Sequence, residues 1–152
     1  MARVLDTQAF LDTVCDLLRQ GQQGVAIPVS GGSMVPFLHD GDMVQLETPQ
    51  TPLKRGDIVL YTRSGGRYIL HRIYRVNRDG SFIMVGDAQQ DLEVILSQTQ
   101  IHARVVAVRH KGKLDQPGSL RWWLYQHMWL WLRPVRHRLM KLREVFRFQK
   151  RK

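Results

Sequence analysis

Two residues have types and surroundings that can do covalent chemistry. Ser33 lies in "VSGGSMVPF" (residues 29–37), behind two glycines, and His71 lies in "GRYILHRIYRV" (residues 66–76), between two isoleucines. Serine is a weak nucleophile at neutral pH. It needs a base to take its proton and donors for the oxyanion that forms. Gly31 and Gly32 let the chain turn tightly and leave amide N–H groups free, so Gly31, Gly32 and Ser33 can supply both nucleophile and donors. Pro36 stiffens the exit because its φ is fixed. Read alone, the same stretch is first an ordinary glycine turn or linker.

The base must come from elsewhere in the chain. A strand over 67–77 places Ile69, His71 and Ile73 on one face. Apolar neighbours there hold an imidazole neutral and able to accept a proton. The competing reading is a core histidine satisfied by a backbone partner. Gly-Asp pairs stand at 41–42, 56–57 and 86–87. The first two run into "MVQL" and "IVLY" and read as turns that launch strands. The third, in "VGDAQQDLE", leads into polar residues, so Asp87 or Asp91 can orient the imidazole as the acid of a triad does. His39 sits in the polar turn "LHDGD", His102 and His110 flank a late strand, and His127 and His137 fall near the C-terminus. No pair of histidines has zinc spacing, so neither a metal nor a cofactor is expected.

These residues need a scaffold. The chain has 152 residues, of which 43% are hydrophobic, enough for one domain with a true core. Phe10, Leu11, Val14, Leu17 and Leu18 recur at helical spacing within 7–20, capped by Asp6 or Thr7 and stopped at Gly21. Candidate strands follow at 24–29, 42–47, 57–63, 67–77, 81–85 and 102–110, with "TRSGGRYIL" and "VNRDGSFIM" as hairpin connections. The fold class is therefore mainly β: a compact antiparallel fold behind an N-terminal helix. The expected divisions are 1–23 for that helix, 24–110 for the β-rich domain, 111–119 for a linker and 120–152 for a tail. The single cysteine, Cys15, rules out an internal disulfide framework and reads as a packing residue.

The net charge of +10 is unevenly placed. Residues 119–152 hold ten of the 23 Lys and Arg and one of the 13 acids, so the tail carries +9 and the body is nearly neutral. The tail opens with the apolar "LRWWLYQHMWLWL" (120–132). Pro134 follows, then a basic stretch with Val135, Leu139, Leu142 and Phe146 at helical spacing. Thirteen helical residues reach roughly 20 Å, short of the ~30 Å bilayer core. Tryptophan favours the bilayer interface and Lys/Arg the anionic headgroups. An amphipathic helix lying on an anionic membrane surface is the expected role of 120–152. Docking onto the body or a partner protein is the alternative, and nucleic acid is not the expected partner. Residues 1–10 lack the apolar run of a secretory signal, and no spanning helix is visible. A cytoplasmic location, free or on the cytoplasmic membrane face, is expected.

In order, "SGGSMVPFLHDGDMV", "KRGDIVLYTRSGGRYILHRIYRV" and "FIMVGDAQQD" resemble the successive boxes of the type I signal peptidase superfamily, which includes the SOS-repressor-type self-cleaving proteases. The resemblance covers roughly residues 24–108. Its base strand carries a histidine where the bacterial housekeeping branch has lysine, and so resembles the endoplasmic-reticulum branch. It implies Ser33 as nucleophile, His71 as general base, the Gly32 and Ser33 amides as oxyanion donors, and Asp87 or Asp91 as orienting acid. It further implies an extended peptide or protein substrate added as a strand, with Met34, Phe37 and Leu38 at the lip of the pocket. The function implied is a serine endopeptidase, with a dedicated leader or precursor peptide as a candidate substrate. The alternative is an inactive peptide-binding module on the same fold. The chain departs from the family pattern at Gly31, where relatives carry a serine, and at Ala88 and Gln89, where asparagines are usual.

Overall fold

The structure, a computed structural model, describes residues 2–133 and 135. It opens with helix α1 (Ala2–Arg19) and continues through strands β1 (Val25–Pro28), β2 (Met43–Glu47), β3 (Ile58–Thr62), β4 (Tyr68–Val76), β5 (Phe82–Val85), β6 (Glu93–Ile95), β7 (Ile101–His110) and β8 (Lys113–Asp115). Every pairing is antiparallel, in the order β1-β2-β7-β3-β4-β5-β6, with β8 added to β7. The mainly antiparallel β class is as the sequence predicts.

β3 explains why one sheet makes two cores. Its side chains alternate between faces, and Ile58 through Tyr61 are all buried. Ile58 and Leu60 join Val14, Cys15 and Leu18 of α1, with Ile27, Val44, Val105 and Val108, on one side. Val59 and Tyr61 join Ile73, Phe82, Met84, Ile95 and Ile101 on the other. Burial pushes the Cys15 thiol pKa up, which suits a packing role.

Three boundaries differ from expectation. α1 begins at Ala2 rather than near Thr7, and Phe10, expected on its core face, is 46% exposed. β6 was not predicted, because three residues starting with a glutamate carry no strand period. The expected linker contains β8, whose Asp115 is buried and receives the Ser119 hydroxyl and the Arg121 guanidinium.

The tail begins with α2 (Leu120–Trp123), passes through a π-helical turn (Leu124–Met128) and continues as α3 (Trp129–Trp131). Ser119 caps it by accepting from the Trp122 amide. Trp122 and Leu130 are buried against the body, while Leu120, Trp123, Met128 and Trp131 face outward. Leu139, Leu142 and Phe146 of the expected helical stretch lie outside the described residues. Among the described residues no helix is long and apolar enough to cross a membrane.

Candidate active site

The segment between β1 and β2 folds back on itself to carry Ser33. Its neck is closed by Val29 N–H donating to Asp42 O at 2.7 Å and Gly41 N–H donating to Val29 O at 2.9 Å. Inside it, Gly31 has φ +87° and donates its N–H to Asp40 Oδ1 at 2.9 Å. That backbone region favours glycine. It gives a physical reason for the departure from serine at this position.

Met34, Phe37 and Leu38 are at most 2% exposed and plug the loop into the core. Phe37 packs beneath the guanidiniums of Arg72 (5.1 Å) and Arg121 (5.0 Å) and beside the rings of Trp122 and Tyr125. The expectation that Phe37 and Leu38 form the substrate lip is therefore corrected. They anchor the loop, and truncating a buried Phe of this kind costs about 3–5 kcal/mol. Met34 is buried but does line the cleft beside Ser33.

Ser33 is held from its other side by the third Gly-Asp box. Ala88 N–H donates to Ser33 O at 2.8 Å. Gly86 lies so close that a Cβ there would sit 2.7 Å from the same oxygen. The Gly32 and Ser33 amides donate to no acceptor among the described residues, so they remain available to an oxyanion.

His71 and Ser33 line one cleft of about 1060 Å³, together with Ile27 to Gly31, Tyr68 to Leu70, and Phe10 and Leu11 of α1. Two strand edges that pair with no other strand among the described residues border it. β1 is paired only through β2. On β4, residues Tyr68–His71 pair with β3 but not with β5, whose ladder begins at Arg72.

His71 is buried, and burial lowers its pKa from 6.5 to about 4, with the positive Arg63 adding to the effect. The ring is therefore neutral at physiological pH. Its Nδ1 lies 3.4 Å from the Tyr61 hydroxyl. That hydroxyl donates to Glu93 Oε2 at 2.7 Å, and Arg63 Nε grips the same carboxylate at 2.7 and 2.8 Å. Because the Tyr61 proton goes to Glu93, the Tyr61 oxygen can only accept, from Nδ1–H. The neutral ring then keeps its lone pair on Nε2. Burial raises the Glu93 pKa, but the bonds from Arg63 and Tyr61 outweigh it and bring the carboxyl below its usual range.

Neither expected aspartate reaches the ring as a hydrogen-bond partner. Both Asp87 oxygens are taken by Arg72, from Nε at 2.9 Å and Nη2 at 2.7 Å, and Arg72 Nη1 donates to Gly56 O at 3.0 Å. Asp91 is exposed. Tyr61, Arg63, Glu93 and Arg72 were missed from the sequence. A signal existed for Tyr61: the β3–β4 register pairs Val59 with His71, and Tyr61 follows two residues later on the same face.

No curated protein and no solved structure matches the chain. A family model, described as Peptidase S24-like, matches residues 3–106, a span that includes Ser33, His71 and the whole cleft between them. With more than two-thirds of its length covered by that match, the chain belongs to the Peptidase S24-like family.

Proposed function

We propose that the protein is a serine endopeptidase that cuts an extended peptide laid along this cleft. The observation that carries the proposal is that Ser33, beside amides that meet no acceptor among the described residues, lines the same cleft as a neutral His71. His71 Nε2 takes the Ser33 hydroxyl proton as Oγ attacks the scissile carbonyl. The Gly32 and Ser33 amides receive the oxyanion. The imidazolium passes the proton to the departing amine, and water later releases the acyl group. Tyr61 and Glu93, rather than Asp87 or Asp91, orient the ring. Substrate backbone pairs with the free edges of β1 and of Tyr68–His71. A leader or precursor peptide with small residues near the cut fits a cleft flanked by Met34 and Leu70.

The test is cleavage of unstructured peptides, read by mass spectrometry. Ser33→Ala and His71→Ala should each lower the rate by at least about 10³-fold. Full activity in either variant rejects the dyad. Peptide binding with no turnover in the unsubstituted protein selects the non-cleaving module instead.

We further propose that the tail rests on an anionic membrane surface. The outward placement of Trp123 (51% exposed) and Trp131 (75%) on the helix that buries Trp122 and Leu130 supports this. Removing the whole tail would strip the core of Trp122, so a double Trp123→Ala/Trp131→Ala variant is the cleaner probe. It should lose binding to phosphatidylserine-containing vesicles. Unchanged binding refutes the role.

A further inference from the structure

The turn that closes the Ser33 loop brings together three metal-ligand side chains. The antiparallel register runs Val44↔Val108 and Met43↔Arg109, and the next step sets Asp42 across from His110. His110 Nδ1 lies 2.6 Å from Asp42 Oδ1. His39 N–H donates to Asp42 Oδ2 at 2.9 Å, which bends its imidazole back over the carboxylate with Nδ1 at 3.8 Å from Oδ2. The two rings stand 5.0 Å apart between centroids. One ligand atom from each of His39, Asp42 and His110 falls within 4.8 Å of the others.

A second observation points to a ligand. His39 Nδ1 is buried and has no hydrogen-bond partner among the described residues. Buried polar atoms are normally satisfied, so an orphan beside a carboxylate and a second imidazole calls for a missing group. Asp42 is 5% exposed and lies at the bottom of the cluster.

We propose that His39, Asp42 and His110 bind a divalent transition-metal ion, with Zn²⁺ the best fit. Two imidazole nitrogens and one carboxylate oxygen suit zinc, at bond lengths of about 2.0–2.2 Å. Ligands of a tetrahedral site then stand roughly 3.3 Å apart. His110 Nδ1 must move back from Oδ1, now 2.6 Å away, and the three ligand atoms, now within 4.8 Å of one another, must draw together around one carboxylate oxygen. His39, whose side chain is 44% exposed, can make that movement. The ion replaces a proton on the His110–Asp42 contact and leaves a position for water. The His39 amide bond to Oδ2 aims the carboxylate, as outer partners of metal ligands do.

The location gives the ion a role separate from cleavage chemistry. His39 and Asp42 belong to the neck of the loop that carries Ser33, and His110 ends β7. An ion here ties the loop to the sheet.

The experiment uses the full chain, stripped with chelator and titrated with zinc chloride. The expected result is one Zn²⁺ per chain and a raised melting temperature. His39→Ala should weaken binding by more than the roughly 10–100-fold that loss of an outer partner costs. His110→Gln should do the same, whereas His71→Ala should bind zinc as the unsubstituted protein does. Cobalt chloride should give visible bands of a four- or five-coordinate site, and His39→Ala should abolish them. His39 is half-exposed, so its removal leaves the fold intact, which circular dichroism can verify. Absence of zinc uptake, uptake unaffected by His39→Ala, or uptake lost in His71→Ala would each overturn the proposal.

Discussion

Arg72 grips Asp87 with two parallel hydrogen bonds, and the two side chains are only 1% and 0% exposed. The pair joins β4 to the loop behind Ser33. His71 points to one face of β4. Its neighbour Arg72 points to the other, where Asp87 belongs to the box whose Ala88 holds Ser33. One dipeptide therefore sets both halves of the site. Removing one member of a buried pair leaves an uncompensated charge, which costs about 3–5 kcal/mol. Asp87→Ala should lose that much in denaturant melts, and the double Arg72→Met/Asp87→Leu should recover part of it.

The lowered pKa of His71 makes a prediction with a definite sign. Between about 4 and 6.5 the unfolded chain binds a proton that the folded ring refuses. Stability from this group is fully present above pH 6.5 and is lost as pH falls toward about 4. His71→Gln should flatten the stability profile over that window, as measured by urea denaturation. In peptide cleavage, the acid limb of kcat/KM should fall near pH 4 rather than near 6.5.

Tyr61 stands between His71 and Glu93 and touches no substrate in the proposed mechanism, so it is a positioning residue. Tyr61→Phe should lower kcat while leaving KM close to its original value. Steady-state kinetics separates this from a purely structural loss, which would lower stability and leave kcat intact.

Gly86 has no room for a side chain, since the obstacle at 2.7 Å is the Ser33 carbonyl, a backbone atom. Gly86→Ala should push Ser33 out of line. A misplacement of about 1 Å costs on the order of 10²-fold in rate, and the strain costs about 1–3 kcal/mol in stability. Peptide cleavage and thermal melting read the two effects separately.

At Gly31 the space is open but the backbone is not. Nothing lies within 4 Å of an added Cβ, yet φ is +87°. Gly31→Ser should cost about 1–2 kcal/mol through left-handed strain. Denaturant melts on the folded protein check it.

Much of the scaffold was legible because its signals are local. Alternating Val, Ile and Tyr mark β2, β3, β4 and β7, glycine pairs mark the hairpins, and the period of α1 shows in Val14, Cys15 and Leu18. β6 escaped because three residues carry no period. The docking of the tail stood only as an alternative, because burial of Trp122 depends on Phe37, 85 positions away.

The candidate site divides in the same way. The sequence by itself determined the chemical types, with Ser33 behind glycines, His71 among isoleucines and a Gly-Asp box after β5. Only the tertiary structure decided their partners. Asp87 had two possible callers, His71 and Arg72, which are adjacent in sequence and opposite in direction. The pleat of β4 gave it to Arg72. Tyr61 and Glu93 reached the histidine through strand register. His39 and His110, 71 positions apart, met because a ladder aligned Asp42 between them. Residue type is carried by the chain, whereas distance is created by strand pairing and the burial that fixes its register.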